Sequence, residues 1–183
     1  MVRTIELFDA YTGGHSEQVA YLAFQLALKL NLSRKQATEI YWAGIVHDIG
    51  KIGVGYEIIN KKGKLSAEEY EAIKMHPVYG YDIIIKSQEL KEIALLVRHH
   101  HEWYNGSGYP DGIKTNDIPY SAQILTVADA VSSMSTSRPY SNIKDNDLII
   151  KELELYSDSQ FNPKIAKAMI ELIKDGIIKD SLS

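Results

Sequence analysis

ATEIYWAGIVHDIGK, residues 37–51, is the stretch on which the reading of this chain turns. Ser33 and Gln36, just ahead of it, have the spacing of a capping box that opens a helix. Ala37, Ile40, Tyr41 and Gly44 then recur at helical intervals. Continued by three or four residues, the same stripe lands on His47 and Asp48, so both are predicted to point inward.

The neighbouring segments repeat the pattern. In residues 16–30, Val19, Leu22, Ala23, Leu26, Ala27 and Leu30 form one face, and His15, four residues before Val19, starts it. Residues 49–64 contain four glycines and read mainly as loop with one short helix. Ser66 and Glu69 form a second capping box, for a helix ending near His76. Pro77 disfavours helix at His76 but suits a first turn, so the next helix is expected over 79–86. Over 90–101, Ile93, Leu96 and Val97 face inward; His100 and His101 continue that face, whereas His99 falls on its flank and reads as a surface histidine. Over 121–135 the inner stripe is Ala122, Leu125, Ala128, Asp129 and Ser132. Asn162 caps a final helix beginning at Pro163, with Ile165, Ala168, Met169 and Leu172 inward. No segment alternates as a strand does. The expected fold is all-α, one helical bundle.

Composition narrows the function. The chain has 183 residues, 45% apolar and 24% charged, with a net charge of -4 and no run of like charges, which argues against coating a nucleic-acid polymer. It has no cysteine, excluding disulfides, thiolate zinc sites and cysteine nucleophiles. No 18-residue apolar run and no signal-like start occur, so a cytoplasmic protein without membrane contact is expected.

The inward polar residues are His15, His47, Asp48, His76, His100, His101 and Asp129. A single one would read as a satisfied core residue. Two carboxylates among five imidazoles, with Lys51 the one obvious nearby cation, need more positive charge than the chain offers. Bound metal supplies it, and the donors suit two ions with one aspartate bridging. Nitrogen and oxygen ligands without thiolate favour iron, manganese or zinc. Paired metals suit phosphoester hydrolysis.

HDIGK (47–51), MHP (75–77), HHE (100–102) and GSGYP (106–110) resemble the HD-GYP domain, the bacterial subgroup of the HD phosphohydrolase superfamily associated with cyclic di-GMP hydrolysis. The likeness runs from YTGGHS (11–16) through VADAVSSM (127–134) and SRPY (137–140) to FNP (161–163), covering most of the chain, and residues 1–183 are expected to form one domain. It implies that His15, His47, Asp48 and Asp129 hold one metal, and that Asp48 bridges to a second held by His76, His100 and His101. A metal-bridging hydroxide would attack phosphorus and release linear pGpG or GMP, with iron or manganese the expected metals. Lys51 would meet the scissile phosphate; Tyr109 and Arg138 would contact the nucleotide. Tyr11 stands where some members carry a third-metal glutamate, so two ions are expected; Ser141 replaces a frequent basic residue, and Gly55 a usual proline. Glu102 reads either as a support for a metal-bound imidazole or as a solvated helix end. Other readings are hydrolysis of another cyclic dinucleotide or nucleotide, and a non-hydrolysing sensor module. The resemblance also implies sensor, receiver or diguanylate cyclase domains as partners: the chain is expected to be either a stand-alone enzyme or the output portion of something longer.

Overall fold

A computed structural model describes residues 14–135 and 145–180. These form helices α1 (His15–Lys29), α2 (Arg34–Val46), α3 (Lys51–Val54), α4 (Tyr56–Ile59), α5 (Ala67–Ile73), α6 (His76–Ile84), α7 (Lys91–His99), α8 (Tyr120–Ser135), α9 (Asn146–Leu155), α10 (Pro163–Lys174) and α11 (Ile177–Asp180), with 3-10 turns at Gln88–Leu90 and Thr115–Asp117. No strand occurs among the described residues, as expected; there is one isolated bridge, between Ser157 and Phe161.

Both capping boxes form. Gln36 donates its backbone N–H to Ser33 Oγ at 3.3 Å, and its side chain accepts from the Ser33 N–H at 3.1 Å. Ser66 and Glu69 exchange the same pair of bonds at 3.2 and 2.6 Å. Three features differ from expectation. α6 starts at His76 rather than Tyr79, because Pro77 occupies its first turn, where a missing N–H costs nothing. α9 was not anticipated; Asp145 caps it by accepting the Leu148 N–H, and Ile149 and Leu153 are its buried face. Residues 49–64 hold two short helices, α3 and α4, rather than one. They meet at Gly55, whose φ of 108° is a conformation glycine adopts without strain.

The core is assembled by α1, which lies between α2 and α8, while α7 packs on α2 and α6. Val19, Leu22, Leu26, Ile40, Leu125, Ile165 and Met169 are fully buried there. Gly44 lets α1 and α2 touch backbone to backbone: a Cβ on it would lie 2.7 Å from Ala20 Cα. Gly50 does the same between the end of α2 and α6, since a Cβ there would overlap the His76 carbonyl oxygen. The outcome is convergence. The N-termini of α1 and α6, the C-termini of α2 and α7, and the middle of α8 meet at one place.

Candidate metal centre

Each converging element brings one or two of the predicted residues. His15 opens α1; His47 and Asp48 follow α2; His76 opens α6; His100 and His101 follow α7; Asp129 projects from α8. Their donor atoms form three overlapping groups, His15–His47–Asp129, His76–His100–His101 and His47–Asp48–His100, each within 4.8 Å. Asp48 lies between the first two, with Oδ2 3.4 Å from His47 Nε2 and Oδ1 3.4 Å from His76 Nε2. Asp129 Oδ1 is 3.1 Å from His15 Nε2 and 3.9 Å from His47 Nε2.

The backbone sets the direction of the imidazoles. Nδ1 of His47, His76 and His100 meets the carbonyl oxygen three residues earlier, Gly44, Ile73 and Val97, at 2.7, 2.8 and 2.7 Å. A carbonyl only accepts, so Nδ1 carries the proton in each and Nε2 faces the centre. His15 Nδ1 lies 2.9 Å from Ser132 Oγ, whose own proton goes to Gln18 Oε1 at 2.8 Å. Nε2 of His76 and of His100 is buried with no hydrogen-bond partner. Such orphaned lone pairs are costly unless a cation meets them. The donor set therefore fits divalent metal ions.

Electrostatics agree. Burial opposes ionisation of Asp48, but Lys51, His47 and His76 hold its carboxyl well below the usual range. Burial likewise opposes charge on Asp129, where His15 and His47 outweigh it and hold the carboxyl well below that range. Burial depresses His76 and His100, and lowers His101 to about 3, so these imidazoles stay neutral. His47 differs: burial opposes its charge, yet Asp48 and Asp129 raise its pKa to about 9.

All seven predicted donors come together. The Lys51 ammonium lies 2.7 Å from Asp48 Oδ2, one turn beyond His47. Tyr109 stacks on His101, with ring centroids 4.8 Å apart at 28°. Arg138, Tyr11 and Ser141 lie outside the described residues. His99 is a correction: it is buried, with Nε2 3.1 Å from Asp111 Oδ2, and the same Asp111 receives Arg98 at 2.8 and 2.7 Å. Glu102 answers to neither earlier reading. It is 1% exposed, and its Oε1 accepts the backbone N–H groups of Asp111 and Gly112. Ser132 was placed inward but not paired with His15; periodicity gives a direction, not a partner across 117 residues.

A helical bundle that gathers an adjacent histidine–aspartate pair with four further histidines and a distant aspartate defines the HD class of protein. The chain belongs to the HD-domain family, whose profile, "HD domain", matches residues 2–165. It is 37% identical over 172 residues to a protein of Thermotoga maritima named cyclic di-GMP phosphodiesterase, covering 93% of this chain and 47% of that one. It is 32% identical over 176 residues to a Vibrio cholerae protein named 3'3'-cGAMP-specific phosphodiesterase 2, covering 93% and 33%. The chain thus spans about half, or less, of the length of these relatives. Its fold is similar to a solved cyclic GMP-AMP-specific phosphodiesterase of V. cholerae, with TM-score 0.73 and 16% identity over 97% of this chain and 48% of that one. Among the described residues no helix is long and apolar enough to cross a membrane.

Proposed function

We propose that this chain is a metal-dependent phosphodiesterase of the HD-GYP subgroup that hydrolyses cyclic di-GMP to linear pGpG, GMP or both, using two divalent ions, iron or manganese. The observation that carries the proposal is the position of Asp48, one carboxylate oxygen toward each of two imidazole clusters. Bound there, paired divalent ions supply an activated water and neutralise charge on a phosphoryl group. In this reading His15, His47 and Asp129 hold one ion, His76, His100 and His101 the other, and Asp48 both.

The chain's own residues do the rest. Asp48 keeps Lys51 at the centre through the 2.7 Å contact, where its ammonium would meet the phosphoryl oxygens as charge builds on them. Tyr109, stacked on His101, would present an aromatic face to the nucleotide, and Arg138 a bidentate guanidinium to a phosphate. Residues 1–183 would form the output domain of a longer protein, with sensor, receiver or diguanylate cyclase domains as partners; the greater length of both curated relatives supports this.

The test is to load the protein with iron(II) or manganese(II) without oxygen, add cyclic di-GMP and separate the products by chromatography. Appearance of pGpG or GMP only with metal is the expected result. No product from protein holding two ions would overturn the substrate. The Vibrio relative's name favours 3'3'-cGAMP as the second reading, and the same assay with that dinucleotide separates the two.

A further inference from the structure

We propose that Glu102 is a positioning residue: its buried carboxylate latches the loop that carries Tyr109 against the end of α7, and so sets the aromatic face offered beside His101. This rests on the reading of the site as a phosphodiesterase centre.

A glutamate directly after two metal-facing histidines invites a role at the metals, but its bonds go elsewhere. Oε1 accepts the N–H of Asp111 at 2.6 Å and of Gly112 at 3.1 Å, two residues of the same loop. Oε2 is buried without a hydrogen-bond partner. A carboxylate held dry, with one oxygen spent on two backbone donors, is an expensive way to tie a loop unless the loop's position matters.

The loop is gripped on both sides of Pro110. Before it, the Tyr109 N–H donates to the His101 carbonyl at 3.1 Å, and Gly108 lies where no Cβ fits, because one would overlap Trp103 N and His101 O. After it, Glu102 holds the backbone of Asp111 and Gly112, while Arg98 and His99 hold the Asp111 carboxylate. Between these anchors the Tyr109 ring stacks on His101. Glu102 therefore acts on the substrate through Tyr109 rather than on the metals through an imidazole.

The test pairs a substrate-free readout with a kinetic one, on metal-loaded protein. Hydrogen exchange at the amides of Asp111 and Gly112 should quicken in Glu102→Ala and fall between the two in Glu102→Gln, which keeps an oxygen acceptor and serves if the alanine variant does not fold. Metal content should match wild type in both. With cyclic di-GMP, Glu102→Ala should lower kcat/KM by roughly 10- to 100-fold. In a Tyr109→Ala background the same change should cost less than about twofold, because the two residues act as one unit. Unchanged exchange, loss of metal, or additive kinetic effects would overturn the latch. If the wild-type protein does not hydrolyse cyclic di-GMP, the functional reading falls, and the exchange measurement alone judges Glu102.

Discussion

Nε2 of His76 lies 3.4 Å from Oδ1 of Asp48 yet makes no hydrogen bond to it, because the imidazole proton sits on Nδ1 and is given to the Ile73 carbonyl. Two electron-rich atoms are thus buried and aimed at each other. A cation makes that arrangement favourable; toward His47 the same carboxylate's other oxygen, at 3.4 Å, meets an imidazole that carries a proton in the metal-free protein.

Asp48 is the carboxylate proposed to serve both ions. Asp48→Asn preserves shape and removes the charge, so metal bound per chain should fall from about two to below one, with turnover reduced by at least ~100-fold. Elemental analysis of the purified variant, beside the product assay, checks both. Retention of two ions would show that Asp48 is not shared.

Ser132 is expected to matter at a distance from any substrate. It accepts the Nδ1 proton of His15 and passes its own to Gln18, which fixes the ring with Nε2 toward Asp129. Ser132→Ala should weaken one of the two metal affinities by about 10- to 100-fold and leave the other near wild type. A metal-binding isotherm resolves the two steps; an equal loss at both would contradict the assignment of His15 to one half.

Removal of metal should reshape the pH dependence of stability. The folded pKa of His47, about 9, exceeds its ordinary 6.5, so its contribution is complete below pH 6.5 and lost as pH rises toward 9. His101, at about 3, and His100 are depressed; their contribution is present above pH 6.5 and lost as pH falls. Metal-free protein should therefore be most stable near pH 6.5, with a melting temperature lower by on the order of 5 °C at pH 9. Metal displaces the His47 proton, so loaded protein should lack the alkaline decline, as should metal-free His47→Gln. Thermal melts in chelator from pH 5 to 9 decide it.

Gly50 positions one cluster against the other. Its missing Cβ is what lets His76 approach, so Gly50→Ala should shift α6 and cost about 1–3 kcal/mol. The expected signature is loss of one ion before loss of fold, read by metal content and denaturant unfolding on the same preparation.

Much of this was legible in the sequence because helices announce direction. The stripe through Ile40 and Gly44 ran on to His47, and the stripe through Leu96 and Val97 ran on to His100, since a buried face continues past the last hydrogen bond of its helix. His99 was misread for the same reason. Its flank position would be exposed on a lone helix, but the loop bearing Asp111 folds over it. Glu102 showed no pattern at all: a side chain whose partners are backbone N–H groups nine and ten residues on leaves no trace in periodicity. α9 carries only a short signal, an aspartate cap followed by Ile149 and Leu153 four residues apart.

Anomalous scattering from crystals of manganese-loaded protein would locate the two ions that Asp48 is proposed to divide. Two peaks about 3.5–4 Å apart, one on each side of the Asp48 carboxylate, are predicted. A single peak, or a pair that Asp48 does not separate, would contradict the account.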